Sequence, residues 1–398
     1  MTTNAYILGD SAVVLWGISS RERIRRQLAA CPEVRIVEDP AVLANGDSAL
    51  LLRADYLFEV RTITALLERL GLLMHEDRAA AAHVPAAQVP AALVALQGED
   101  GRGGDARQLP GFDAQALQAF EGTLRRTDPP TLAPLNESDR AALSNRLYGS
   151  AYKGITDLVT KFWWPRPAKR VVAWCAERHI TPNAVTMTGV LLMVFAGWCF
   201  YEGFHVTGLI AGWIMTFLDT VDGKLARVTV LSSRFGHLLD HGMDILHPPF
   251  WYWLWGLSLA SPPALLGQDA QTLYIALFAG YIGGRIAEGL FHQLGDLALF
   301  TWRPFDAYFR LITARRNPCM ILLTAFTLIG RPDWAFLAVV IWTVGTTGVL
   351  MVRLLQGFVV RLISGPLVSW MQDAKAAEQA YPRAYRTFST TRSAYGDG

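Results

Sequence analysis

The sequence predicts a mainly α protein: a six-helix transmembrane bundle preceded by a small cytoplasmic α/β domain. Three observations predict it. Hydrophobic residues make up 52% of the 398 residues and charged residues 18%, for a mean hydropathy of +0.24, which excludes a disordered or fibrous chain. The apolar residues are unevenly spread: the front of the chain is mixed, and from about Pro182 come repeated stretches long enough to cross a bilayer. Lysine and arginine collect in alternate connections between those stretches. The length suits two domains. A net charge of +2 carries no polyelectrolyte field, so no nucleic-acid partner is expected.

Residues 1–127 read as the α/β domain. Ala5–Ser19 is strand material, Arg21–Ala30 a basic helix, and Val34–Val37 and Ser48–Leu52 are short strands. Val60–Leu70 is an amphipathic helix with Ile63, Leu66, Leu67 and Leu70 on one face, and Leu72–His75 is a further strand. Alternating strands and helices favour a sheet flanked by helices. Ala79–Arg107 is alanine-rich, then Gly/Asp-rich, and reads as a helix followed by a loop. Met1–Gly17 lacks a basic leader and carries Asp10, so no cleavable signal peptide is expected. The isolated cysteines Cys31, Cys175, Cys199 and Cys319 indicate neither a zinc site nor a disulfide framework.

Residues 128–180 read as a linker and an interfacial amphipathic helix, because Phe162, Trp163 and Trp164 lie among Lys161, Arg166, Lys169 and Arg170. The membrane domain covers 181–370. Its spans run roughly Asn183–Phe200, Val206–Leu225, Gly236–Leu259, Leu273–Gln293, Cys319–Gly330 and Trp334–Leu354, the fifth being short. Thr181 and Pro182 supply an N-cap and a first helical residue. Cationic residues precede span one, separate spans two and three, separate spans four and five, and close span six. The positive-inside rule then puts both termini and the front domain in the cytoplasm of an inner (plasma) membrane protein. The polar tail, 371–398, is expected to fray from Pro382.

The densest chemical signal lies at the end of span two and the start of span three. Asp219, Asp222, Gly223, Ala226 and Arg227 are followed, after eight residues, by Gly236, Asp240 and Asp244. Asp219 and Asp222 stand at i, i+3 and Asp240 and Asp244 at i, i+4, so each pair shares a helix face. Asp219, Asp222, Gly223, Ala226 and Arg227 fall within roughly 140° of arc. Intramembrane acids are costly and face a cavity or a partner. Four so close repel unless neutralised, and an all-oxygen set suits magnesium or manganese. Two such ions clamp both oxygens of a phosphoryl transfer. His237, His241 and His247 lie nearby, and the carboxylates suffice without them.

This pattern resembles the signature of the CDP-alcohol phosphotransferase family, D-x2-D-G-x2-A-R-x8-G-x3-D-x3-D, with every specified position present. The resemblance extends over roughly Lys153–Leu354 and includes Thr181-Pro182-Asn183. It implies a six-helix membrane enzyme of phospholipid or related polar-lipid synthesis that passes a substituted phosphoryl group from a CDP-linked donor to an alcohol or lipid acceptor, releasing CMP. It implies Asp219, Asp222, Asp240 and Asp244 as ligands of two Mg2+ or Mn2+ ions, with Asp244 also taking the incoming hydroxyl's proton. It implies Asn183, Gly223, Ala226, Arg227 and Gly236 at the CDP site, and a homodimer among membrane lipids.

Two further features stand apart from the motif. Arg285, Glu288 and His292 fall on one face of span four, and Arg315 and Arg316 form a basic edge; Arg285, Glu288, Arg315 and Arg316 are candidates for the acceptor or its phosphate. The front domain looks like a small nucleotidyltransferase, with Asp55 after Ser48–Leu52 at that fold's metal position. It lacks a glycine-rich phosphate loop after its first strand, so a degenerate domain is expected. Two other readings remain: a bifunctional enzyme that also makes its CDP-alcohol from CTP, and a transporter using the acids as an ion path.

Overall fold

The computed structural model describes residues 3–98, 109–114, 117, 120–127, 130–231, 234–260 and 269–389, without the side chains of 44–45, 234–235 and 237–241. The chain is mostly helical with an N-terminal α/β region. Contacts divide it into two units. The first comprises Met1–Glu121, Asp128–Ser150 and Val228–Leu231; the second comprises Gly122–Thr127, Ala151–Arg227 and Ser232–Gly398.

In the first unit, β1 (Thr3–Leu8) leads through the hairpin β2 (Val14–Leu15) and β3 (Ile18–Ser19) into α1 (Ser20–Leu28). The single strand expected over Ala5–Ser19 is broken because Gly9, Trp16 and Gly17 take positive φ, turning the chain twice. Then come β4 (Val34–Ile36), β5 (Ser48–Arg53), β6 (Tyr56–Phe58), α2 (Val60–Leu67), β7 (Gly71–His75), β8 (Arg78–Pro85), α3 (Val89–Gln97) and β9 (Gly111–Asp113). The main sheet runs β4-β1-β5-β8-β7-β9, parallel except for β8. β8 corrects the start of the helix expected within Ala79–Arg107: the first alanines are strand, and the helix forms later, as α3. Ala79–Ala82 are at most 1% exposed between two paired neighbours, and pairing on both edges overrides alanine's helix propensity. Residues 99–108, where a loop was expected, lie outside the described residues.

Asp128–Ser150 was read as the start of a linker, and it groups with this unit. Leu132–Pro134 pairs antiparallel with β6. Helix α4 (Arg140–Ser150) packs Leu143 and Leu147 with Leu57 and Leu135.

In the second unit, α5 (Pro165–Glu177) follows a π-helical turn at Val159–Trp163. It buries Ala168, Val172 and Cys175 and leaves Trp174 exposed, an amphipathic arrangement. Six longer apolar segments occupy the expected places, as α6 (Pro182–Tyr201), α7 (His205–Val228), α8 (Arg234–Leu257), α9 (Ala270–Gly295) and, beyond the short α10 (Pro304–Ile312), α11 (Arg316–Leu328) and α12 (Pro332–Ser364). Among the described residues, α6 and α12 are the helices long and apolar enough to cross a membrane. The core is aromatic, with Phe200, Trp251, Tyr252, Trp255 and Phe336 packed on Met320. Large apolar side chains also face outward, including Leu191, Val194, Ile210, Ile275 and Leu362.

The tail corrects another expectation. Pro382–Phe388 is helical, and Phe388 is fully buried with its ring 5.0 Å from Tyr308. One buried aromatic ring ties down a segment whose composition suggested fraying. Residues 390–398 lie outside the described residues.

Candidate functional site

Three elements bring the acids together. Thr181 caps α6 by accepting from the Ala184 amide at 3.3 Å, and Pro182 follows. That fixes Thr186 one turn inside the helix. Its hydroxyl donates to Asp222 Oδ2 at 2.6 Å and lies 3.1 Å from the Pro182 carbonyl. Asp222 is 5% exposed, so this charge-assisted bond holds a carboxylate that solvent barely reaches. Asp219, one turn earlier on α7, and Asp244, on α8, meet at the same place.

A small cavity is lined by Thr186, Gly189, Val190, Met215, Asp219, Asp222, Met243 and Asp244. A Cβ on Gly189 would meet no atom within 4 Å, so the wall of α6 is open at this point. Asp240 lies on α8, but its side chain, with those of His237 and His241, is outside the described residues. Among the described residues no group of three or more His, Cys, Asp or Glu is drawn in to metal-ligating distance. His247 is a core residue: its Nδ1 lies on the Met243 carbonyl and its ring packs on Trp251.

A cation already bridges two of the acids. Arg316, the first residue of α11, donates from Nη2 to Asp219 Oδ2 at 2.5 Å and from Nη1 to Asp244 Oδ1 at 2.7 Å. Its side chain is 12% exposed, that of Asp219 22% and that of Asp244 44%. Asp244 is thus the wettest of the three. Next door, the Asn317 amide donates to Asp157 Oδ1 at 2.9 Å. Asp157 also accepts from the Thr160 amide at 3.0 Å. Burial works to raise Asp157, but the Arg310 guanidinium and these hydrogen bonds outweigh it and hold the carboxyl below its usual range. The start of α11, and with it Arg316, is anchored to the segment before α5.

Among the described residues, the lining of this cavity includes none of the expected CDP-site residues. Asn183 is exposed at the start of α6. A Cβ on Gly223 would come within 3.0 Å of Arg227 Nη2, so the glycine lets the arginine fold back along its own helix. Arg227 Nε donates to the Ala151 carbonyl at 2.8 Å. Ala226 and Gly236 are half-buried.

Adjacent Arg315 and Arg316 serve separate places. Arg315 pairs with Glu288, and Arg285 lies 3.9 Å from the same Glu288 oxygen. Arg285 and Glu288 line a second small cavity with Tyr281, Gly284, Thr313 and Thr346. His292, expected on that face, is exposed. Sequence reasoning missed Thr186, Asn317 and Lys224. Lys224 is 3% exposed and stacks its ammonium 3.7 Å from the Tyr152 ring centre. Thr186 and Asn317 are uncharged and carried no signal, whereas a lysine inside an acid-rich apolar helix was legible.

Residues 179–280 match the family model described as CDP-alcohol phosphatidyltransferase. The chain is 28% identical over 165 residues to Cholinephosphotransferase 1 of Gallus gallus, covering 37% of this chain and 44% of that protein. It is 37% identical over 81 residues to Archaetidylinositol phosphate synthase of Pyrococcus horikoshii, covering 20% and 43%. It is 27% identical over 210 residues to Choline/ethanolaminephosphotransferase 1 of Arabidopsis thaliana, covering 42% and 52%. The chain therefore spans about half the length of these relatives or less. The matched segment holds Asp219, Asp222, Asp244 and the cavity-facing turn of α6, and over residues 179–280 the chain carries a CDP-alcohol phosphatidyltransferase domain.

Proposed function

We propose that the chain is an integral membrane CDP-alcohol phosphotransferase. The observation that carries this is the convergence of Asp219, Asp222 and Asp244, from two helices, on one cavity with a cation between two of them. The donor set fits a hard divalent ion, because it offers carboxylate and hydroxyl oxygens and already draws a positive group. Asp219, Asp222, Asp240 and Asp244 would hold two Mg2+ or Mn2+ ions. Such ions neutralise a pyrophosphate and make CMP a better leaving group.

The protein groups do the rest. Asn183, Gly223, Ala226, Arg227 and Gly236 hold the CDP part of the donor. The acceptor's hydroxyl oxygen attacks the donor phosphorus remote from the cytidine, the bond from that phosphorus to the bridging oxygen breaks, and CMP departs. Asp244, the most exposed of the three acids, accepts the hydroxyl proton. Arg285, Glu288, Arg315 and Arg316 serve the acceptor or its phosphate. Orientation and charge placement supply the rate.

The finer architecture belongs to the same proposal. Residues 181–370 form a six-span inner-membrane domain and assemble as a homodimer, with both termini cytoplasmic. The outward apolar side chains of α6, α7, α9 and α12 support lipid contact. Helices α7, α8 and α9, at 24, 24 and 26 residues, have the length to span. The front domain is a degenerate nucleotidyltransferase-like module. In support, no glycine-rich phosphate loop follows the first strand, so a backbone nest for a triphosphate is lacking there.

The test is CMP release by the purified full chain. A CDP-linked lipid with inositol phosphate, and CDP-choline with a lipid alcohol, cover the chemistries named by the relatives. Metal-dependent CMP release with either pair, lost in Asp219→Asn, is expected. An ion flux without CMP release would favour the transporter.

A further inference from the structure

Arg316 occupies the place where the proposed function needs divalent charge. Its two terminal nitrogens reach one carboxylate on α7 and one on α8. The two helices are separate elements, so the guanidinium is a clamp across them as well as a counter-charge. A planar fork suits this bridging, and an ammonium supplies the charge without that fixed geometry. The side chain is largely shielded, its Nε has no hydrogen-bond partner among the described residues, and the neighbouring Asn317 is locked to Asp157. The backbone at Arg316 is therefore fixed, and only the side chain is free to leave.

We infer that Arg316 is an exchangeable internal cation: it holds Asp219 and Asp244 together when no divalent ion is bound, and is displaced from them when one binds. The inference rests on the metal reading of the proposed function. Two positive groups cannot share the same carboxylate oxygens at close range without strong repulsion. Arg316 takes one oxygen of each carboxylate, so a divalent ion that takes either of those oxygens breaks that Arg316 ion pair. The released guanidinium stays on its fixed backbone beside the cavity, where an anionic group of a substrate is its natural next partner. The arginine thus keeps the acids from repelling each other in the empty enzyme, at a cost in metal affinity.

The experiment titrates the full chain, in detergent, with Mn2+ and reads free Mn2+ by electron paramagnetic resonance. Arg316→Gln is expected to bind Mn2+ about 10-fold more tightly than wild type, equivalent to about 1.4 kcal/mol. In EDTA it is expected to melt at a lower temperature, with the loss recovered on adding Mn2+. Arg316→Lys keeps the charge without the bridge and is expected to fall between the two. Arg315→Gln removes an equal charge that pairs with Glu288 instead, and is expected to change the affinity less than about 3-fold. Should Arg316→Gln and Arg316→Lys both bind Mn2+ as wild type does, while Asp219→Asn loses it, the exchange is wrong and the metal reading stands. If wild type shows no Mn2+ binding that depends on Asp219, the metal reading falls and takes the exchange with it.

Discussion

Replacing Thr186 by valine removes one hydroxyl and nearly nothing else. The hydroxyl donates to Asp222 Oδ2 at 2.6 Å, and Asp222 is 5% exposed, so water cannot readily replace it. A hydrogen bond to a charged group contributes about 1.5–3 kcal/mol. At about 1.4 kcal/mol per decade, any equilibrium that needs Asp222 ionised and aimed into the cavity shifts roughly 10- to 150-fold. The assay is CMP release at sub-saturating CDP donor, which reports kcat/KM. The control is Thr188→Val on the same helix, where the hydroxyl is exposed and, among the described residues, bonds to its own helix at the Ala184 carbonyl; it is expected to stay within twofold of wild type. If Thr186→Val matched Thr188→Val, Asp222 would not depend on this bond and the α6 contribution to the site would be refuted.

Asn317→Ala removes a donor from the buried Asp157 and is expected to cost about 1–3 kcal/mol of stability, read as a lower melting temperature. Asp157 is held below the ordinary carboxylate value of 3.8, so its stabilising contribution is full above that value and is lost as the pH falls through the lower, folded-state one. Asp157→Asn should accordingly be less stable than wild type at neutral pH and lose less on acidification below about pH 4; parallel acid-unfolding curves would show the carboxylate to be immaterial. Glu288→Gln leaves Arg285 and Arg315 without their shared carboxylate; the expected result is an acceptor KM changed severalfold with the CDP-donor KM unchanged, and equal shifts in both would move Glu288 out of the acceptor pocket. Asp55→Asn is expected to leave CMP release within twofold, and CDP-alcohol formation from CTP by the wild-type chain would overturn the degenerate reading of the front domain.

What the sequence made legible follows from how each feature is encoded. Helices α6, α7, α8, α9, α11 and α12 fall where apolar runs between charged connections put them, because long hydrophobic segments carry their own signal. The association of Asp219, Asp222 and Asp244 was readable from i, i+3 and i+4 spacing on helices joined by a short connection. The alanines of β8 were misread because strand pairing is a long-range property and alanine's local preference points the other way. The separation of Arg315 from Arg316 was invisible for a related reason. Both are arginines at one helix start, and only the tertiary positions of Glu288 and of Asp219 with Asp244 send them to different partners. Phe388 shows how little sequence it takes to order a polar tail when a partner ring is waiting.

An anomalous difference map of the full chain crystallised with Mn2+ reads the ion directly. Two peaks within coordination distance of the Asp219, Asp222 and Asp244 oxygens, with the guanidinium moved off at least one carboxylate, are the predicted result. Maps without any peak there, at Mn2+ concentrations that support CMP release, would contradict it.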